Sequence, residues 1–238
     1  MIVLAIDTCD SRGSVALLRE GKVVQVAVHD SAEDYSSWLL PAVGKVLDAG
    51  GLGMREVDAY AVAAGPGTFT GLRVGLTTVK AWSEVYGKRV APVSRLEALA
   101  AQSTDGKPFV AAFVDARRGQ VFGAVYQRNG ARFAPVGEEM AIAPGKFVET
   151  AAELAMGGAM AWVSPDAALM FAEGAWKDRE KRGESIQSVS SVLAPMIGRI
   201  GLDQLAAGQC VDTLTLDANY VRRSDAEIFW KGGAAHGR

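Results

Sequence analysis

A glycine-rich turn between an apolar strand and a helix is the usual backbone cradle for a phosphate. Residues 61–82, AVAAGPGTFTGLRVGLTTVKAW, have that outline. The known templates fail on spacing. A P-loop needs G-x-x-x-x-G-K-[ST]; here Gly65 precedes Gly71 by six positions and the basic residue two further on is Arg73. A dinucleotide fingerprint needs G-x-G-x-x-G and an acidic residue closing the next strand. G-P-G-T-F-T-G is one residue too long for it, and the next apolar run, RVAPV, ends without Asp or Glu. What remains is geometric: Gly65 and Gly67 permit tight turns, Pro66 fixes φ, and Thr68 or Thr70 is placed to cap a helix. Further along, Gly71, Gly75 and Thr78 share one helical face, with Leu72, Leu76 and Val79 on the adjoining one. Such a small-residue face suits the chain's own sheet or another subunit. Pattern alone favours the sheet, while a helix apolar on two faces can serve both.

Other reactive side chains are sparse. The two histidines, His29 and His236, have no helical ligand spacing, which argues against a site built on H-x-x-x-H. No G-x-S-x-G elbow is present, and a triad would have to rest on His29 alone. Cys9 and Cys210 fit no C-x-x-C or zinc spacing and read as free thiols in a reducing cytosol. Asp7, followed by Thr8, closes the first apolar run and could hold a phosphate-bound Mg²⁺ or act as a base; an Asp there is as often a turn former. Catalysis by this chain alone is therefore disfavoured.

The elements that must hold these residues follow from periodicity. Residues 2–6 form an apolar strand reaching Asp7, and GSVALL (13–18) and KVVQVAV (22–28) form a hairpin. SSWLLPAVGKVLDAGG is an amphipathic helix with Leu39, Val43, Val46 and Leu47 inward, stopped by Gly50-Gly51. Strand 57–64, a helix from about Thr70 to Tyr86, strand KRVAPV and helix SRLEALAAQ, with Ser94 as N-cap and Glu97 completing a capping box, follow. From residue 109 the pattern restarts. FVAAFVDARRGQVFGAVYQRNGARF matches IVLAIDTCDSRGSVALLREGKVV element by element, with Asp115 in the place of Asp7. The expected fold is α/β and two-lobed, a duplicated βββαβα unit that resembles the actin–hexokinase–Hsp70 (ASKHA) architecture, in which paired hairpins contact nucleotide phosphates. Asp7, Thr8 and Asp115 are then vestigial nucleotide-binding positions. The polar segment STDGKP (103–108) divides lobe 1–104 from lobe 105–238, with a flexible tail from about 231.

Composition sets bounds on partners. The 238 residues are 49% hydrophobic and 22% charged, with a net charge of -2, which weighs against strong direct RNA binding. MIVLAIDT lacks a basic n-region, and no apolar run nears the length of a membrane helix, so a cytoplasmic location without membrane contact is expected.

Four strings in order, LAIDTCDSRGSVAL, AAGPGTFTGLRVGLTTVKAW, VDARRGQVFGAVY and NYVRRSDAE, resemble the TsaB (YeaZ) family of tRNA threonylcarbamoyladenosine proteins. The resemblance implies a non-catalytic paralogue of the transferase TsaD, forming a heterodimer on which the small ATPase TsaE docks. It implies a homodimer when alone and tRNA contact only through the complex. No cofactor is required by this chain, with ATP and Mg²⁺ acting at the level of the complex. Family members usually carry HS-x-x-LLP; here YSSWLLP puts Tyr35 where the His would stand. The implied partner interface lies on the first two long helices, with Trp38, Leu39, Ala42, Val43 and Val46 on one and Leu72, Gly75 and Val79 on the other. Gly75→Arg is then expected to abolish pairing and spare the fold. The alternatives are a stand-alone ASKHA-type kinase or ATPase, for which AMGGAM (155–160) would be the adenosine candidate, and, last, a glycoprotease.

Overall fold

The computed structural model describes residues 1–30, 32–211 and 215–221. The Arg222-Arg223-Ser224-Asp225 string and the tail from about 231 lie outside the described residues.

The first half runs β1 (Ile2–Asp7), β2 (Ser14–Arg19), β3 (Lys22–Val28), α1 (Tyr35–Gly50), β4 (Ala59–Gly65), α2 (Phe69–Tyr86), β5 (Arg89–Ser94) and α3 (Arg95–Ala100). The second runs β6 (Phe109–Arg117), β7 (Gln120–Asn129), β8 (Arg132–Ile142), α4 (Pro144–Leu154), β9 (Met160–Ser164), α5 (Ala168–Phe171), α6 (Gly174–Glu180), β10 (Ile186–Ser188) and α7 (Ala194–Ala206). The first sheet has the order β3-β2-β1-β4-β5, and the second, taken from its far edge, β8-β7-β6-β9-β10. In each, the first three strands are antiparallel neighbours and the fourth and fifth add in parallel. The expected duplication is therefore a repeat of topology. β10 is the counterpart of β5, α5 and α6 are additions, and none of the three, at three to seven residues, was announced by the sequence.

Alternation along β6 explains how the halves join. Val110, Ala112, Val114 and Ala116 point into the same core as the first sheet, whereas Ala111 and Phe113 point away into a second core with Phe147, Trp162 and Trp176. α3 is buried between the sheets, touching strands of both. α1 packs on β2 and β3, and α2 on β4 and β5. α7 crosses back onto β1, β2, β4 and β5, so the last described helix belongs by packing to the first sheet although it follows residue 105 in sequence. Glycines at the contact let it come close: a Cβ on Gly201 would lie 2.5 Å from that of Ala61. Ala194 N–H also donates to Ser14 Oγ at 3.1 Å. Among the described residues, no helix is long and apolar enough to cross a membrane.

Candidate functional site

The turn after β1 and the glycine loop after β4 are built against each other. Both strands are parallel and adjacent, so their C-terminal ends emerge side by side. Thr68 N–H donates to Cys9 O at 2.7 Å, and Thr8 Oγ1 donates to Gly71 O at 2.7 Å. A Cβ on Gly71 would run into Thr8 O, and one on Gly75 would come within 2.5 Å of Thr8 Oγ1. The small-residue face of α2 thus seats the chain's own first turn. Gly65 has φ +118°, a conformation open to glycine, and a side chain there would also meet Asn219 O. Thr68 stands at the N-cap of α2, but its hydroxyl does not cap the helix.

Arg95 fills the middle of this assembly. It opens α3, is 2% exposed, and its Nε lies 3.3 Å from Oδ2 of Asp7, which is fully buried. Its Nη1 donates to Pro66 O at 3.3 Å and its Nη2 reaches Asp10 Oδ2 at 3.5 Å. Burial works against the guanidinium charge, yet Asp7, Cys9 and Asp10 together outweigh it and hold the group above its ordinary range. The other Asp7 oxygen accepts from Cys9 N–H at 2.9 Å. One guanidinium therefore ties the first turn to the glycine loop from within. Burial, with Asp7 nearby, raises the Cys9 thiol well above its usual range, so it is a packed group and not a reactive one.

Tyr35 closes the outer side of the turn. Its hydroxyl accepts from Gly13 N–H at 2.6 Å and donates to Asp10 O, and burial holds the phenol above its usual range. The Tyr35 side chain is thus a strap across the hairpin turn. His29 is 5% exposed and packs on the Tyr35 ring at 4.5 Å. Its Nδ1 lies 3.1 Å from Ser11 O and its Nε2 2.6 Å from Glu33 O, so each ring nitrogen faces a backbone carbonyl.

Asp115, the counterpart of Asp7, is built differently. Its carboxylate accepts from Arg117 N–H at 2.7 Å and pairs with the Arg117 guanidinium at 3.3 Å, near the surface. Its own N–H donates to Asp166 Oδ2 at 2.9 Å. AMGGAM sits at the N-terminal end of β9, beside the start of β6, and hence at the opposite end of the sheet from Asp115. It is not placed to hold an adenosine across from that residue. Among the described residues, no three His, Cys, Asp or Glu side chains gather as a metal-binding group.

The implied interface residues require a correction. Leu39, Ala42, Val43 and Val46 on α1, and Leu72, Gly75 and Val79 on α2, are all buried in the chain's own core; Trp38 alone is partly open. Apolar periodicity marks the inward face, which is why it selected them. Gly75→Arg would strike the first turn and so could not spare the fold. The outward apolar residues of the same helices are Leu40, 59% exposed, Val85, 74% exposed, and Phe69, whose ring lies 3.6 Å under the Arg73 guanidinium.

One cluster had no sequence signal beyond a capping motif. Ser94 Oγ caps α3, accepting from Leu96 N–H at 3.1 Å and Glu97 N–H at 3.2 Å, and also donates to Glu139 Oε1 on β8. Tyr126 OH donates to the same oxygen at 3.3 Å, and Asn219 Nδ2 to the other at 2.7 Å. Burial raises the Glu139 carboxyl, and burial followed by the nearby Glu139 charge pushes Glu97 up to about 7. These residues join the two sheets and the chain beyond α7.

A sheet of order 3-2-1-4-5 used twice, each copy opening with a hairpin whose first strand ends in Asp, defines a two-lobed α/β protein of the actin–hexokinase–Hsp70 class. The family model for TsaD, tRNA N6-adenosine threonylcarbamoyltransferase, matches residues 26–173. The chain belongs to that family and, within it, to the TsaB (YeaZ) proteins. It is 35% identical over 131 residues to the tRNA threonylcarbamoyladenosine biosynthesis protein TsaB of Bacillus subtilis, covering 55% of this chain and 57% of that one. The Escherichia coli TsaB is 34% identical over 131 residues, 54% of this chain and 56% of that one. The chain spans about half the length of the curated relatives it matches. The solved structure of YeaZ from Pseudomonas aeruginosa superposes with a TM-score of 0.70 at 26% identity, covering 92% of this chain and 99% of that one.

Proposed function

We propose that this chain is a non-catalytic scaffold subunit in tRNA N6-threonylcarbamoyladenosine (adenosine 37) synthesis. It pairs with a TsaD-type catalytic paralogue and offers the pair as a platform for a TsaE-type ATPase. The observation that carries the proposal is Arg95. Its guanidinium occupies the interior of the first hairpin turn and consumes Asp7, the carboxylate that a phosphate- or metal-handling relative would need open. Nucleotide and Mg²⁺ then act in the partner or in the assembled complex, and tRNA meets this chain through the complex. Leu40 and Val85, large apolar side chains left in solvent on adjacent helices, suit a subunit contact and a homodimer when the partner is absent.

The test is co-expression with the H-x-x-x-H paralogue from the same genome, followed by light scattering on the purified material. A stable heterodimer is expected, with Leu40→Asp and Val85→Asp each weakening it. Tight ATP binding with turnover by the isolated chain would overturn the scaffold assignment. A heterodimer indifferent to both substitutions would overturn the placement of the contact.

A further inference from the structure

An unassigned cavity lies where α3, the β7–β8 turn and α7 meet, on the side of the molecule reached by residues from both sheets. It has a volume of about 480 Å³, within the usual range for a small-molecule site. Its walls are apolar where Phe133, Met196 and Ile200 line it. Four charged side chains stand around them: Glu97 from α3, Arg132 from β8, and Arg199 and Asp203 from α7. Arg199 and Asp203 are four apart on one helix, the spacing at which opposite charges normally pair. Here they do not, and among the described residues none of the four makes an ion pair. Gln204 also lines the cavity.

We propose that this cavity binds a small zwitterion of the amino-acid type, a carboxylate and an ammonium on an apolar body. The two guanidinium groups, five donors each and no acceptor, fit the carboxylate. Glu97 and Asp203, acceptors when ionised, fit the ammonium. Met196, Ile200 and Phe133 receive the side chain. Equal numbers of acids and bases argue against a phosphate, which two carboxylates would repel. Because the lining comes from α3, β8 and α7, an occupant would also tie the second sheet to the helix that covers the first.

The probe is L-norleucine, titrated into the full chain carrying ¹³C-methyl methionine and isoleucine, with hexanoate and n-pentylamine as analogues that keep the apolar body and one charge each. L-Norleucine is expected to shift the Met196 and Ile200 methyl resonances, and each analogue to bind at least about tenfold more weakly, the ratio set by losing one charge-assisted hydrogen-bonded group. Arg199→Ala, on an exposed side chain, is expected to cut norleucine affinity by about tenfold while leaving the melting temperature unchanged. Hexanoate or pentylamine binding as tightly as norleucine would overturn the charge pairing. Silence of both methyl groups up to about 10 mM norleucine, where even a millimolar site would be filled, would overturn the site.

Discussion

Replacing Arg95 by Met keeps most of the side-chain volume and removes the one charge that neutralises Asp7. Asp7 is fully buried and Arg95 2% exposed, with 3.3 Å between Nε and Oδ2, so water cannot substitute for the lost partner. Breaking a buried pair from one side costs about 3 to 5 kcal/mol, because the other charge is left behind. The low end applies here, since Asp7 keeps the Cys9 N–H at 2.9 Å. Removing both charges together is a different perturbation. Asp7→Asn with Arg95→Met leaves no buried ion, so the double variant should be more stable than the sum of the singles by about 2 kcal/mol or more. Urea unfolding of the four proteins at neutral pH, followed by tryptophan fluorescence, closes the cycle. A coupling energy under about 0.5 kcal/mol would show that the two side chains act independently, and would refute the tie between turn and loop.

Three further outcomes are expected. Gly75→Ala puts a methyl 2.5 Å from Thr8 Oγ1 and should cost about 1–3 kcal/mol in the same unfolding assay; a neutral result would mean the first turn yields to α2. Glu97, lifted from 4.5 to about 7 mainly by burial, binds its proton more tightly folded than unfolded, so its contribution is full below about pH 4.5 and is lost as pH rises through 7. The ceiling on that loss is about 3 kcal/mol and partial solvent access brings it to about 1–2, so Glu97→Gln should stabilise by that amount above pH 7 and by nothing below about 4.5; an equal effect at both ends would refute it. Leu40→Asp, at an outward position on α1, should leave the isolated chain within about 0.5 kcal/mol of its original stability while weakening self-association in sedimentation runs at several concentrations.

The strands and long helices were legible because each carries its own period. Residues 2–7 announce a buried strand, and Leu39, Val43, Val46 and Leu47 announce one face of a helix. The same signal misled at the interface, because a hydrophobic stripe says which residues leave water and not what covers them. Gly71 and Gly75 are the sharpest case: a small face was visible, and Thr8, the residue seated on it, lies more than sixty positions earlier. Arg95 was missed for a related reason. Its partner is 88 residues away, and the only local hint is a charged residue at the head of a helix whose neighbours Leu96, Ala98, Leu99 and Ala100 are all buried. Asp7 and Asp115 look equivalent in sequence and differ in the structure, one sealed by a remote arginine and the other paired two residues along.

The return of α7 onto the first sheet has a consequence for how the protein is made. Leu18, Ala61 and Ala91 lie where Gly198 and Gly201 press in, so that part of the sheet face lacks its cover until residues 194–206 exist. At about 5–20 residues per second, a ribosome leaves it bare for roughly 10 to 40 s after β1 emerges. During that interval the nascent first lobe presents an apolar sheet face to solvent. Holding chaperones at that stage should shield this face, and a chain truncated before residue 194 should be poorly soluble even though the five strands of its first sheet are complete.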